Sequence, residues 1–196
     1  MKVRIFIALL LIFACVTPPL LASDVRRELS GQSTLEQVID NNRLRVGFST
    51  FVPWAMKDKQ GKFIGFEIEV AQQLAKDMGV EIQFIPTKWS VIIPALLTGK
   101  FDVIIGGMGI TPERNLKVNF SAPYEFTGMS IVASKKLANQ QTRLEAFNSP
   151  EMTVVARIGT TAAAAAKKFL PRAQIRLLDD EGQALQEVLN GRAAAM

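Results

Sequence analysis

Residues 65–105 read GFEIEVAQQLAKDMGVEIQFIPTKWSVIIPALLTGKFDVII, and their hydrophobic spacing decides the fold class. Phe66, Val70, Leu74 and Met78 recur every four residues, the period of an amphipathic helix, and Gly79 supplies its stop. In Val80–Ile85 the apolar Val80, Ile82 and Phe84 alternate with Glu81 and Gln83, which predicts a strand. Trp89–Thr98 returns to a helical pattern closed by Gly99, and Phe101–Ile105 is a mostly apolar run suited to a buried strand. Upstream, Leu44–Ser49 is a further strand. It follows a helix predicted around Thr34–Asn41, where Thr34 and Gln37 have capping-box spacing. Phe51–Gly61, with Pro53 and a charged turn, reads as loop. Strand, helix, strand, helix, strand is the pattern of an α/β protein with a parallel sheet and right-handed crossovers. Ligands bind such sheets beyond the carboxyl ends of their strands. The loops after Ser49, Ile85 and Ile105 are therefore the places to look.

Downstream, Val118–Phe120 and Met129–Ala133 read as extended segments. Lys135–Pro150 is polar and helix-like and begins a second lobe. Thr153–Ile158 is a strand, Gly159-Thr160-Thr161 a turn, Ala162–Phe169 a helix, Gln174–Leu178 a strand and Gly182–Asn190 a helix ended by Gly191. Ala193–Met196 is where the next strand should begin. The expected organisation is an export signal at 1–23, a first lobe at 24–133 and a partial second lobe at 134–196.

Composition narrows the chemistry. The 196 residues carry 23 Lys plus Arg against 18 Asp plus Glu, a net charge of +5, and Lys2 and Arg4 precede the first apolar run. No block of five like charges occurs, which argues against a nucleic-acid footprint. The chain has no histidine and one cysteine, Cys15. That excludes Ser-His-Asp and Cys-His catalysis, histidine-ligated metals and intrachain disulfides. Lys2 and Arg4, the apolar run Ile5–Val16 and the small-residue end Leu21-Ala22-Ser23 read as a secretory signal. The run is too short for a bilayer span, which needs about 20 residues. Ile12-Phe13-Ala14-Cys15 offers lipidation at Cys15 as the alternative. Either way the mature chain works outside the cytoplasmic membrane.

Three stretches are candidate site residues, each with a plainer reading beside it. Gly106-Gly107-Met108-Gly109 follows a buried strand and lets a ligand approach the backbone, leaving carbonyls to accept from an ammonium. Thr111 caps a short helix with Pro112 at its first position and Arg114 on its first turn. That guanidinium can hold a carboxylate or simply pair with Glu113 or water. Thr160 and Thr161 stand where a helix N-terminus binds an anion, or where Thr160 is only a cap. Phe51 and Trp89 either sandwich a ligand side chain or pack in the core. Arginine and helix amides suit a carboxylate, and glycine carbonyls suit an ammonium; together they describe an α-amino acid. Glu67, Glu69 and Asp102 read as structural carboxylates, and no cofactor is called for.

Gly65-Phe66-Glu67-Ile68-Glu69-Val70, Ile93-Pro94-Ala95-Leu96, Phe101-Asp102-Val103-Ile104-Ile105, Ile110-Thr111-Pro112-Glu113-Arg114 and Phe120-Ser121-Ala122-Pro123-Tyr124 stand in the order and spacing of a known family. From about Leu44 to Arg192 the chain resembles the extracytoplasmic solute-binding proteins, family 3, which serve ABC importers of polar amino acids. The resemblance implies a two-lobe, type II periplasmic-binding-protein fold that closes on ligand by hinge motion. It implies a monomer in the periplasm that meets a membrane permease. Arg114 matches the arginine that grips the ligand carboxylate, Thr161 a donor to the same group, and Thr160 its neighbour. Gly107 and Gly109 match positions that receive the ammonium, and Phe51 and Trp89 the aromatic pair around the side chain.

Two departures carry weight. No acid stands before Phe51, where basic-amino-acid binders have one; Ser49 is the nearest counterpart, which favours a polar uncharged ligand such as glutamine. Relatives also carry an aspartate for the ammonium a few residues beyond Gly191-Arg192, and this chain reaches Met196 first. The expectation is an incomplete second lobe with poor affinity and a tendency to aggregate. The alternatives are an enzyme similar to cyclohexadienyl dehydratase, or the sensor lobe of a receptor kinase or a transglycosylase-associated domain.

Overall fold

The computed structural model describes residues 33–138 and 143–196. The signal expected at 1–23 and the lipidation site at Cys15 lie outside the described residues. The chain divides into two compact units, residues 1–41 and 42–196. In the first, α1 (Thr34–Asp40) opens with a capping box one residue earlier than the sequence suggested. The Ser33 hydroxyl accepts from the Glu36 amide at 3.2 Å, and the Ser33 amide donates to the Glu36 carboxylate at 2.9 Å.

The second unit holds the sheets. β1 (Arg43–Phe48), β4 (Glu81–Pro86) and β5 (Val103–Ile104) form a parallel sheet in the order β4-β1-β5, as the alternation of elements predicted. Between them lie α2 (Phe66–Met78), capped by left-handed Gly79, and α3 (Ile92–Leu97). The helix expected over Trp89–Thr98 begins as a single tight turn at Trp89–Val91, and only then becomes α-helical. Pro94 has no N–H to return to the Ser90 carbonyl, so the four-residue ladder cannot start earlier. The loop expected at Phe51–Gly61 contains the first arm of a small hairpin, β2 (Met56–Lys57) with β3 (Phe63–Ile64). Its turn is closed by the Asp58 carboxylate, which accepts from the amides of Gln60 and Lys62, both at 2.9 Å.

Two apolar layers flank this sheet. Phe48, Ala55 and Ile68 pack with Phe51, Phe63 and Phe84 on one side; Trp89, Ile92 and Phe101 pack with Ile85, Ile104 and Met108 on the other. Phe48 meets Phe63 and Phe84 edge to face, with centroids 4.9 and 5.7 Å apart. Gly47 lies where the Phe101 ring crosses the sheet: a Cβ there would stand 2.4 Å from the ring. Asp102 pairs with Arg45 at 2.6 Å and also accepts from the Arg45 amide, which fits its structural reading.

After the short helix α4 (Pro112–Asn115), Val118–Phe120 forms no strand, and among the described residues of Lys135–Pro150 the expected helix reduces to one tight turn at Leu144–Phe147. β6 (Thr153–Arg157) and β7 (Gln174–Leu178) pair in parallel. They alternate with α5 (Thr161–Phe169) and α6 (Glu181–Leu189). Ala194–Met196 continues this sheet on the far side of β6, since the Ala194 amide donates to Thr153 and the Val155 amide to Ala195. The extended segment expected at Met129–Ala133 joins here as well: the Val132 and Met196 amides exchange bonds of 2.8 Å. Among the described residues, no helix is long and apolar enough to cross a membrane.

Candidate functional site

The carboxyl ends of both sheets open onto one cavity of about 670 Å³. Seven of the eight residues singled out from sequence line it: Phe51, Trp89, Gly107, Gly109, Arg114, Thr160 and Thr161. They come from the loops after β1, β4 and β5 and from the turn between β6 and α5, the places that strand polarity pointed to.

Arg114 sits in α4 because Thr111 caps that turn, its hydroxyl accepting from the Arg114 amide at 3.3 Å, with Pro112 preset at the first position. Its guanidinium donates to the Gly109 carbonyl at 2.6 Å and to the Gly159 carbonyl at 3.0 Å. These bonds join the β5 loop to the turn after β6. Burial holds the Arg114 pKa below its ordinary value, with Glu113 opposing. The Trp89 indole N–H donates to the same Gly159 carbonyl at 3.1 Å. Two donors from one sheet thus fix a single acceptor of the other.

Thr160 caps α5, accepting from the Ala163 amide at 3.1 Å while donating to the Arg157 carbonyl at 2.7 Å. The plain capping reading therefore holds for Thr160, and Thr161 opens the helix beside it. Gly109 faces Thr161 across the cavity, since a Cβ on the glycine would lie 3.7 Å from the threonine methyl.

Gly107 needs to be glycine. Its φ is +63°, and a Cβ would meet the Phe51 ring at 3.1 Å and the Glu67 carboxylate at 3.3 Å. The Gly107 amide faces Glu67, whose carboxylate also accepts from the Tyr124 hydroxyl at 2.7 Å. Glu67 is buried and its pKa is raised by that burial, against the two hydrogen bonds. It braces the floor of the site, in keeping with its structural reading.

Ser49 differs from expectation. It is 5% exposed and does not line the cavity; its hydroxyl accepts from the guanidinium of Arg157, a residue that does. The hydroxyl is thus turned toward a protein cation rather than toward the ligand space.

Two charged cavity residues were not anticipated, and the rest of the added lining is mostly apolar, from residues 129–132, β6 and α5. Arg157 ends β6, buried, and donates to the Asp179 carbonyl at 3.3 Å and the Thr50 carbonyl at 3.4 Å as well as to Ser49. Glu181 opens α6 on the neighbouring turn. Both line the cavity. Burial lowers the Arg157 pKa, opposed by Glu181, Asp180 and Asp179; burial raises that of Glu181, opposed by Arg157. The signal was present: Arg157 is the first charge after an apolar run, at the carboxyl end of a strand.

Residues 44–194 match the model of the bacterial extracellular solute-binding proteins, family 3. The chain is 31% identical to the L-cystine-binding protein TcyJ of Escherichia coli (strain K12) over 87% of its own length and 64% of the relative's. It is 28% identical to a cyclohexadienyl dehydratase of Pseudomonas aeruginosa, covering 84% of the chain and 62% of the enzyme. It therefore spans less than two thirds of the length of these curated relatives. The ancestral amino acid-binding protein AncCDT-1, a precursor of cyclohexadienyl dehydratase, superposes with a TM-score of 0.81 at 47% identity. That match covers 84% of this chain and 73% of that one. A second structure of AncCDT-1, at a TM-score of 0.64 over 84% of this chain and 72% of that one, describes it as a cationic amino acid solute-binding protein. With the family model covering residues 44–194, most of the chain, this protein belongs to the bacterial extracellular solute-binding proteins, family 3.

Proposed function

We propose that the protein binds a polar amino acid outside the cytoplasmic membrane and hands it to an ABC importer, as a monomer with two lobes that meet near residue 133. The observation that carries this reading is the Arg114 guanidinium lining the cavity, held by carbonyls from the β5 loop and the turn after β6. Two of its five N–H donors are committed there, which orients the fork without exhausting it. A ligand carboxylate seated against Arg114 and the first amides of α5 would meet a charge-assisted donor and the positive end of a helix dipole. The Gly107 carbonyl would receive the ammonium, and Phe51 and Trp89 would cover the side chain. The bonds from Arg114 and Trp89 to Gly159 cross between the sheets, so ligand binding and approach of the two lobes are coupled in this reading.

Calorimetry with a panel of L-amino acids tests it. Binding of at least one of them, lost in Arg114→Ala, is the expected result; no heat with any of them refutes the reading. A second reading, a dehydratase of the cyclohexadienyl type, draws on the relatives above and on Glu181, a cavity carboxyl whose pKa is raised by burial. Turnover of prephenate or arogenate would establish it in place of transport.

A further inference from the structure

Beyond the groups that would hold an α-amino acid backbone, the cavity carries one more cation and one carboxylate, Arg157 and Glu181. β6 and β7 are in register with Arg157 opposite Leu178, so the turn leading into α6 comes alongside Arg157. That turn anchors the guanidinium through the Asp179 carbonyl. Arg157 and Glu181 attract one another, yet no ion pair joins them among the described residues. Both guanidinium groups stand near Trp89, Arg114 at 5.7 Å and Arg157 at 5.5 Å from its ring. An amino acid gripped by Arg114 and lying along the indole would therefore direct its side chain toward Arg157 and Glu181.

We infer that Arg157 and Glu181 act together as the specificity determinant for the side chain, selecting a primary carboxamide over both cationic and acidic groups. This rests on the amino-acid reading above, and it moves the choice of ligand from Ser49 to two residues the sequence did not single out. A carboxamide is donor and acceptor at once. Its oxygen takes an N–H of Arg157, its nitrogen donates to the Glu181 carboxylate, and no net charge has to be stripped of water. A lysine or arginine side chain would set like charge against Arg157, and an acidic one would do the same against Glu181. Discrimination thus comes from repulsion on both sides as much as from the bonds made.

The test is calorimetry of the wild type, Glu181→Gln and Arg157→Gln with L-glutamine, L-glutamate and L-lysine. The wild type should bind glutamine at least ten-fold more tightly than either charged ligand. Glu181→Gln should raise glutamate affinity relative to glutamine at least ten-fold, because the opposing carboxylate is gone. Arg157→Gln should do the same for lysine. Glu181→Gln decides the matter alone if loss of the Ser49 and Thr50 bonds unfolds the arginine variant. Wild-type preference for lysine or glutamate, or ratios that stay within three-fold in Glu181→Gln, would overturn the inference while leaving amino-acid binding intact. Absence of binding by all three ligands, together with a silent wider panel, would overturn both.

Discussion

The two parallel sheets of residues 42–196 are built from different materials. Around β4-β1-β5 the buried residues are mostly large, with Phe48, Phe101, Ile68, Ile92, Trp89, Leu44, Val46 and Ile105 beside Ala55, Ala71 and Ala75. Around β6-β7 they are mostly small, with Ala138, Ala156, Ala163, Ala184 and Ala193–Ala195 joined by Val154, Val155, Leu170 and Phe147. Large aromatic side chains bury more area and lock against one another edge to face. Alanines let backbone and helix come close but contribute little area each. The first sheet is thus a stiff platform that presents Arg114 and the aromatic pair. The second is a thinner layer that carries Arg157, Asp179, Asp180 and Glu181 at its carboxyl end.

The contact between the two is polar. It runs through Arg114 and Trp89 to Gly159, Arg157 to Ser49 and Thr50, and Lys88 and Ser90 to Asp179. Two bodies cored separately and joined by hydrogen bonds can shift against each other without opening either core.

The largest effect should come from emptying the aromatic layer. Phe48→Ala removes the ring that Phe63 and Phe84 contact, at a cost of about 3–5 kcal/mol. Ala184→Gly in α6 should cost about 1–2 kcal/mol, since backbone freedom is gained by the unfolded chain and one buried methyl is lost. Urea unfolding of both variants checks this. Equal losses would show that the two cores are equivalent and remove the contrast.

That contrast was partly legible in the sequence. The first sheet appeared because period four in Phe66–Met78 and period two in Val80–Ile85 are unmixed signals. Arg114 was visible because Thr111-Pro112 announces a helix start, and the loops after β1, β4 and β5 followed from strand polarity. Ser49 was misjudged: a hydroxyl at a strand end shows its position but not which way it is engaged, and Arg157 claims it from 108 residues away. Arg157 reads as part of a strand, and Glu181 stands one residue before the helix start expected at Gly182. The polarity rule applied to Thr153–Ile158 would have flagged the arginine. The segment at Val132–Ser134 could not be assigned to a sheet, because its pairing with Ala194–Met196 is a long-range contact that periodicity does not encode.

Arg114→Ala tests the contact between the two regions at its strongest point. Losing a charge-assisted partner of a carboxylate typically costs about 2–5 kcal/mol, so affinity for L-glutamine should fall by roughly 30-fold to several thousand-fold. Thermal stability should fall less, because the bonds to Gly109 and Gly159 each contribute only about 1.5–3 kcal/mol before solvent exposure is discounted. An affinity that survives within three-fold would place the carboxylate elsewhere.

Tyr124→Phe probes the floor beneath the site, entirely on the side of the first sheet. It leaves the buried Glu67 short of one donor, at about 1–3 kcal/mol. The sign with pH is fixed. Burial holds the Glu67 carboxyl above its ordinary value of 4.5, so the folded state prefers it protonated. Its contribution is best below that value and declines as pH rises through the raised pKa. Removing the Tyr124 hydroxyl, which favours the ionised form, should raise the pKa further and deepen the decline. Thermal melts of both proteins from pH 4 to pH 8 should diverge as pH increases; parallel curves would mean that Glu67 does not respond to Tyr124.

The smallest effect belongs to the outermost contact between the regions. Lys88 reaches Asp179 at 3.2 Å, with side-chain exposures of 72% and 51%. Water and salt screen such a pair, and holding two long side chains in one geometry offsets much of the attraction, so the pair is worth about 0–1 kcal/mol. Lys88→Ala should therefore change stability and glutamine affinity by less than a factor of about five, with the difference vanishing at high ionic strength. Arg114 and Trp89 act differently because both donate to one carbonyl at the cavity wall, away from the exposed rim. If Lys88→Ala instead weakened affinity as much as Arg114→Ala, and did so at high salt, the polar contact would be uniform along its length. The two regions would then be held together by the rim and not by the site.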